Sequence, residues 1–408
     1  MISGINVSPA TTENAAIHDT EAIIVKDYLR LKRIRVNVAF SVYADQYPDF
    51  IVEGFEAVLD AYAGQDFGIH FNFGHPPNDN TWKALNGGND WELTRRPPEP
   101  LWDEMTISYN HMLNKIHNIC CGIYSIDPSR ITVSWFEECC IGGVYGPLDD
   151  EGTLGTGVRD LLQPFEGTWD NDAFWDDFVV ETGEPGFANV RGICEILTHI
   201  YTNVTIPSGF IVSAPSLEMQ YPLVEVPSAF TNAANIFAMV DEVSCQAYLG
   251  SQSSNVNLTP TVYANLFRDM LITNYTLIRA ETSLPINITE MGIAFSWIIK
   301  TNSISTGRKW GNAWSAFWNC ANGIGYNNIY FYALRGYTVA NDAEDSANFY
   351  LIKSTGNPNI GMRELIVRRG WRDDNSQNVP WDITKSWQFS ASEKGEVVVE
   401  ESPPPIVP

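Results

Sequence analysis

The sequence alternates between short runs of apolar, β-branched residues and longer segments with the period of an α-helix. This order of elements predicts a parallel sheet with helices packed outside it. We expect eight strands, at residues 4–8, 33–42, 66–73, 130–137, 209–214, 242–248, 286–291 and 328–334. Helical periodicity between them covers residues 49–63, 101–121, 187–202, 261–283 and 306–322.

The number of strands distinguishes two kinds of parallel α/β architecture. Eight strand and helix units are the count of a (β/α)8 TIM barrel. An open, doubly wound sheet usually carries a glycine-rich phosphate turn after its first strand. Gly4-Ile5-Asn6-Val7-Ser8-Pro9 contains no such turn. We therefore expect one TIM barrel over residues 1–370.

Two segments are additional to the eight strand and helix units of a minimal barrel. Residues 141–185 follow the fourth predicted strand and are rich in Gly, Asp, Glu and aromatic residues, so we expect a long insertion on the catalytic face. Residues 371–408 end with Pro403-Pro404-Pro405 and predict an extended C-terminal arm or linker. Such an arm is either a mobile terminus or an attachment to a larger protein assembly.

Charge limits the partners that this chain can have. It carries 25 Lys and Arg against 49 Asp and Glu, a formal net charge of -24. A surface this acidic repels phosphate backbones and anionic lipid heads, so we expect neither nucleic acid nor a membrane as partner. No run of 18 apolar residues and no signal-type leader is present. These features predict a soluble protein that is cytoplasmic, virion-associated or released by lysis.

The candidate catalytic side chains lie at the ends of the predicted strands. Barrel strands are buried on both faces, so they should be apolar until their C-terminal ends, where the active site of this fold lies. The third strand leads into His75, the fourth ends in Glu137 and Glu138, and the seventh ends in Glu290. Strands four and seven face each other across the barrel mouth. Two carboxyl groups placed in this way suit glycosidic cleavage, in which one donates a proton and the other attacks or activates water.

Two motifs resemble a known family. Trp135-Phe136-Glu137-Glu138 and Ile288-Thr289-Glu290-Met291-Gly292 look like the acid/base and nucleophile strands of the clan A glycoside hydrolases, which are retaining TIM-barrel enzymes. The resemblance implies that Glu290 is the nucleophile. The family has Asn-Glu, commonly after Trp, so keeping the Trp spacing puts Phe136 in place of the Asn and makes Glu137 the acid/base. If Glu137 instead replaces the Asn, Glu138 is the acid/base.

The same resemblance suggests residues that support the reaction. Arg35 is similar to the arginine that supports the nucleophile, His75 to a strand-three histidine, and Tyr248 to a tyrosine that contacts the nucleophile. His75 could equally be a turn residue and Tyr248 a core residue. Exposed aromatic faces after strands suit pyranose rings, and the predicted sugar contacts include Trp135, Trp169, Trp175 and Trp297. In the eighth strand, Tyr332-Ala333-Leu334-Arg335 stands where the family has a sugar-platform Trp.

Metal and cofactor chemistry have little support. The six histidines form no HExxH motif, no phosphate-binding loop follows a strand, and the seven cysteines lack zinc-site spacing and are expected to be reduced and structural. No cofactor is therefore expected. The first hypothesis is a retaining glycoside hydrolase that acts on a polysaccharide or oligosaccharide. The alternative is a non-catalytic carbohydrate-binding or structural barrel of a larger assembly such as a virion or surface complex, which the missing Asn and the missing Trp favour.

Overall fold

A computed structural model gives the structure of the chain. It describes residues 2–29, 31–38, 49–73, 102–136, 193–218, 236–248, 260–292, 320–332, 334, 389–391 and 397–399. The predicted insertion at residues 141–185 lies outside the described residues.

Eight parallel strands form the central sheet. They are β1 (Ile2–Asn6), β2 (Arg33–Asn37), β3 (Gly68–Phe73), β4 (Ile131–Trp135), β5 in two parts (Ile211–Ser213 and Leu217–Glu218), β6 (Val243–Tyr248), β7 (Ile286–Gly292) and β8 (Asn328–Phe331). The pairing runs from the first part of β5 through β4, β3, β2, β1, β8, β7 and β6 to the second part of β5. Because both parts of β5 belong to one stretch of chain, the sheet closes on itself. The predicted TIM barrel is confirmed.

Helices follow the strands on the outside of this sheet. They are α1 (His18–Ile23), α2 (Asp49–Val58), α3 (Trp102–Ile116), α4 (Ile193–Asn203) and α5 (Pro260–Glu281). The helices predicted from residues 49–63, 101–121, 187–202 and 261–283 are confirmed as α2 to α5. The structure describes the helix predicted at residues 306–322 only from residue 320 onward. Helix α1 was not predicted, because it lies between a 3-10 turn (Thr12–Ile17) and a π turn (Ile24–Tyr28) and the segment keeps no single helical period.

The inner face of the barrel differs from the prediction. Strand alternation puts Ile34 and Val36 in the apolar layer against the helices. Arg35, between them, contacts Glu290 on β7, and the His70 ring contacts the Tyr330 ring on β8. Because these strand pairs are not neighbours, both contacts cross the barrel interior. The expectation that the strands are apolar until their C-terminal ends is therefore wrong for the inner face, where hydrogen bonds and ion pairs compensate the buried polar groups.

One buried carboxyl group lies at the N-terminal end of the barrel. Glu242 directly precedes β6 and is 5% exposed. Burial raises the pKa of Glu242 to about 7, although a hydrogen bond from Asn287 and the positive charge of Arg33 act in the opposite direction. This position is opposite to the end where TIM-barrel active sites lie. Glu242 is therefore a determinant of stability rather than a candidate for catalysis.

A Glu242→Gln variant is expected to weaken the pH dependence of stability. The pKa of about 7 in the folded state exceeds the usual value of 4.5, so the folded state binds this proton more tightly. Its stabilising contribution is complete below pH 4.5 and is lost as the pH rises through about 7. Between these limits the wild-type free energy of unfolding should fall by roughly 3 kcal/mol more than that of the variant. Urea unfolding at several pH values measures the free energy of unfolding of both proteins. An equal fall of this free energy with pH in the two proteins would contradict the prediction.

The C-terminal segment contains a small hairpin that the sequence did not predict. Strands β9 (Phe389–Ala391) and β10 (Val397–Val399) pair in the antiparallel direction, with Phe389 opposite Val399. Attachment of residues 371–408 to a larger assembly stays a prediction. Among the described residues, none of the helices combines the length and the apolar character needed to span a lipid bilayer.

The cysteines whose side chains the structure describes, four in number, are free thiols. Cys120, Cys245 and Cys320 are buried, and Cys121 is half-buried. Burial raises the pKa of the Cys120 thiol to about 12, so that thiol stays protonated and unreactive at neutral pH. These positions agree with the expected reduced, structural role.

Candidate active site

Strand β7 contains an extra residue immediately before Glu290. Cys245 and Gln246 are consecutive on β6, but they lie opposite Ile288 and Glu290, so Thr289 has no partner in this register. The pairing of β7 with β8 shows the same one-residue shift. A β-bulge of this kind interrupts the alternation of side chains and reorients those that follow it.

The bulge turns Glu290 into the barrel. The Thr289 hydroxyl lies 2.6 Å from the hydroxyl of Ser216, and the next side chain, Glu290, contacts Arg35 across the interior. Two consecutive side chains therefore face inward. Regular alternation would place Glu290 on the same face as Ile288, which belongs to the apolar layer under the helices.

Arg35 and Asn6 hold the Glu290 carboxylate in place. Nη1 of Arg35 lies 2.6 Å from Oε1 of Glu290 and also donates to Oδ1 of Asn6 at 2.8 Å. The Asn6 amide donates in turn to the carbonyl oxygens of Thr289 and Phe331. Arg35 is fully buried and Glu290 is 4% exposed. An ion pair buried to this degree requires polar partners around it, and Asn6 supplies one while fixing the backbone of the bulge.

Strand β6 runs beside the carboxylate. Gln246 lies directly opposite Glu290, and Tyr248 lies opposite Gly292, two residues closer to the C-terminal end of the sheet. The backbone position of Tyr248 therefore agrees with the expected location at the end of the sixth strand. Its side chain lies outside the described residues, so its contact with Glu290 stays a prediction.

Strand β4 ends with an unusual backbone conformation. Phe136 is fully buried and has a φ of 59°, a left-handed conformation that is strained for a bulky side chain. It directly precedes Glu137, and it replaces the family's Asn in the alignment that makes Glu137 the acid/base. Strained residues of this kind occur at sites whose surroundings fix them, and the Phe136 N–H donates to the carbonyl of Phe73.

Trp135 has a different environment from the one predicted. Its ring is fully buried and contacts the rings of Phe73, Tyr109 on α3 and Tyr201 on α4. Strand alternation explains this, because Trp135 follows the inward-facing Ser134 and so points to the helices. The indole has no exposed face for a sugar ring. The prediction that Trp135 contacts substrate is corrected to a packing role.

The remaining predicted site residues belong to segments that follow the strands. Glu137, Glu138, His75, Trp169, Trp175 and Trp297 lie outside the described residues. Of the predicted pair of carboxylates, the structure thus brings Glu290 to the interior at the C-terminal end of β7. Within the described part of the chain, no group of three or more His, Cys, Asp or Glu side chains could hold a metal ion.

Sequence reasoning missed several polar residues around Glu290. Asn6 and Gln246 lie within runs that were interpreted as apolar strands, and Thr289 was noted only as part of the motif. The available signal was the alternation of polar and apolar residues, as in Arg33-Ile34-Arg35-Val36-Asn37. This alternation predicts strands with one polar face.

Solved structures with a similar fold cover almost the whole chain. An exo-β-1,4-mannosidase from Opitutaceae bacterium strain TAV5 has 11% sequence identity and a TM-score of 0.53, over 90% of this chain and 58% of the mannosidase. A GH5_18 protein from Streptomyces cattleya, in complex with GlcNAc, has 10% identity and a TM-score of 0.57, over 91% and 80% of the two chains. The fold is that of the TIM-barrel glycoside hydrolases.

A third similar structure is a psychrophilic glycoside hydrolase family 10 endo-β-1,4-xylanase, with 10% identity and a TM-score of 0.53 over 90% of this chain and 96% of the xylanase. No protein-family model and no curated protein sequence matches this chain. Because the identities are this low, the similarity establishes the fold. The resemblance to clan A glycoside hydrolases is confirmed at that level.

Proposed function

We propose that the protein is a retaining glycoside hydrolase that acts on a polysaccharide or oligosaccharide. The observation that carries the proposal is the Glu290 carboxylate, which a bulge and Arg35 hold inside a barrel of glycoside hydrolase type. Glu290 belongs to the C-terminal part of β7, at the end of the barrel where active sites of this fold lie. A fixed, ionised carboxylate is the nucleophile that a double displacement requires.

The proposed reaction has two steps. Glu290 attacks the anomeric carbon while the acid/base, Glu137 or Glu138, protonates the leaving oxygen, so that the glycosidic bond breaks as a glycosyl ester forms. The same acid/base then removes a proton from water, and the hydroxide attacks the anomeric carbon and releases Glu290. Tyr248 is proposed to donate a hydrogen bond to Glu290.

The names of two similar structures support a proposal for the substrate class. We propose β-linked glycans, because the mannosidase and the xylanase described above are named for β-1,4 linkages. His75, Trp169, Trp175 and Trp297 are kept as proposed contacts to the sugar, since imidazole and indole side chains offer hydrogen bonds and flat apolar faces to a pyranose ring.

Glu137→Gln and Glu138→Gln variants are expected to identify the acid/base. Loss of this residue should lower turnover of oligosaccharides by about 10²–10⁴-fold. For aryl glycosides with a good leaving group, the rate of the first step should fall less, because that leaving group needs little protonation. Added azide should restore their turnover, because azide attacks the glycosyl ester without a general base. The other variant should keep nearly wild-type rates. Full activity of both variants would contradict the two-carboxylate mechanism.

The same assay series tests the function itself. Wild-type protein is incubated with aryl β-glycosides and β-1,4-linked oligosaccharides at pH values of about 4 to 8, and NMR identifies the first product anomer. Retention of the β configuration is expected, and inversion would exclude the double displacement. Binding without hydrolysis at every pH would favour the alternative, a non-catalytic carbohydrate-binding or structural barrel, which the missing Asn and the missing strand-eight Trp of the family support.

A further inference from the structure

Ser216 is a buried serine whose side chain reaches strand β7 from a strand that is not its neighbour. It lies between the two parts of β5, directly before Leu217, and is 3% exposed. Leu217 belongs to the apolar layer under the helices, so strand alternation points Ser216 to the interior. There its Oγ lies 2.6 Å from Oγ1 of Thr289. Strand β6 separates β5 from β7 in the sheet, so this hydrogen bond crosses the inner face of β6.

The backbone of β6 fixes the direction of this hydrogen bond. The Thr289 hydroxyl donates its single hydrogen to the carbonyl oxygen of Cys245, 3.2 Å away on β6. Ser216 therefore donates to Oγ1 of Thr289. Thr289 is fully buried, so water does not compete for either hydrogen bond. Together the two bonds hold the Thr289 side chain toward the interior.

Thr289 is the extra residue of the bulge, and it is held from two sides. Ser216 on β5 bonds to its side chain, and the Asn6 amide on β1 donates to its carbonyl oxygen at 2.9 Å. In a regular strand Thr289 would pair with β6, and the Glu290 side chain would turn to the helices. Met291 would then turn from the apolar layer into the polar interior. The two hydrogen bonds and the burial of Met291 therefore oppose the loss of the bulge.

We propose that Ser216 is a positioning residue, whose hydroxyl acts through Thr289 to hold the bulge that directs the Glu290 carboxylate into the barrel. The proposal rests on the function proposed above and adds a residue of β5 to the support of the nucleophile. Arg35 contacts the carboxylate itself, whereas Ser216 fixes the strand segment that carries it. A displacement of a reacting group by about 1 Å lowers the rate by about 10²-fold. Because Asn6 still holds Thr289 in the absence of the Ser216 hydroxyl, we expect a smaller loss of about tenfold.

The rate at which Glu290 attacks an aryl 2-deoxy-2-fluoro-β-glycoside tests its position directly. The aryl leaving group needs little protonation and the glycosyl ester accumulates, so mass spectrometry measures ester formation. Ser216→Ala should form the ester about tenfold more slowly than the wild type, with an unchanged dissociation constant for the glycoside. Thr289→Val, which keeps the shape and removes the hydroxyl, should be slowed to a similar degree, and Thr289→Ser should recover most of the lost rate. A wild-type rate in Ser216→Ala would overturn the proposal.

A double variant and a matched control distinguish positioning from a general loss of stability. Ser216→Ala combined with Thr289→Val should be no slower than Thr289→Val alone, because both changes remove the same hydrogen bond. Ser244→Ala is the matched control, because Ser244 is a buried barrel serine whose hydroxyl bonds to that of Ser213. It should lower the free energy of unfolding in urea as Ser216→Ala does, but keep the wild-type rate of ester formation. An equal slowing by Ser244→Ala would indicate a merely structural role and overturn the proposal.

Crystal structures of the variants separate this proposal from the proposed function, because they need no turnover. In Ser216→Ala the Glu290 carboxylate should move by about 0.5 Å or more relative to Arg35, whereas in Ser244→Ala it should keep the 2.6 Å contact. If the wild type hydrolyses no glycoside but the carboxylate moves in this way, the hydrolase proposal fails and the positioning role of Ser216 stands. If Ser216→Ala forms the ester as fast as an active wild type, the positioning role fails and the hydrolase proposal stands. An inactive wild type together with an unmoved carboxylate overturns both.

Discussion

A Glu290→Gln variant is expected to lose glycosidase activity by about 10⁴-fold or more. Glutamine has nearly the shape of glutamate, so it can remain between Arg35 and the β7 bulge, but a neutral amide cannot form the glycosyl ester. The measurement is the initial rate of sugar release from the aryl β-glycoside that the wild type turns over fastest. Sugar binding should persist, because the change removes charge and not volume.

The control for this variant is Glu281→Gln. It makes the same chemical change at the last residue of α5, outside the barrel interior, and it should keep wild-type rates. Retention of full activity by Glu290→Gln would remove Glu290 from the mechanism. Loss of activity in Glu281→Gln as well would show that the assay responds to general damage.

An Arg35→Met variant is expected to destabilise the fold by about 3–5 kcal/mol, because it leaves the Glu290 carboxylate buried without its cation. It also removes the donor to Asn6, which fixes the backbone carbonyl of Thr289. Activity should fall together with stability, since the carboxylate and the bulge both lose their support. Urea unfolding of the purified variants gives the change in the free energy of unfolding.

A double-mutant cycle shows whether charge is the cause. In a Glu290→Gln background, Arg35→Met should lower the free energy of unfolding by clearly less than in the wild type, because no carboxylate remains to be neutralised. Arg279→Met is the matched control. Arg279 lies on α5 and donates to the backbone carbonyls of Thr282 and Leu284, so its cost should be the same in both backgrounds. Equal costs of Arg35→Met in the two backgrounds would contradict the ion-pair explanation.

Much of the fold could be predicted from local patterns. Each of the eight barrel strands overlaps its predicted range, because an apolar, β-branched run followed by a helical period depends on neighbouring residues alone. Helix α1 was missed because its winding changes along its length. The polar inner face was missed because runs such as Gly68-Ile69-His70-Phe71-Asn72-Phe73 are apolar on average. The alternation of polar and apolar residues with a period of two indicates the polar inner face, whereas the mean hydropathy of the run does not.

The candidate site was predictable in part. The motif around Glu290 and the resemblance of Arg35 to a family arginine led to the expectation that the two residues meet, and they lie 2.6 Å apart. Trp135 shows the limit of such reasoning. Its spacing from Glu137 resembles the family's, yet its position on β4 turns the ring toward α3 and α4.

The sequence by itself determined the order of strands and helices, the closed barrel and the presence of a glutamate near the end of β7. Only the tertiary structure decided which way that glutamate faces. Alternation from Ile286 and Ile288 would point Glu290 toward the helices, and the extra residue at Thr289 turns it inward. The Asn6 amide that bonds to the Thr289 carbonyl is 283 residues away in sequence. A local pattern cannot specify such a long-range contact, because the contact forms only when the barrel closes and brings β1 toward β7.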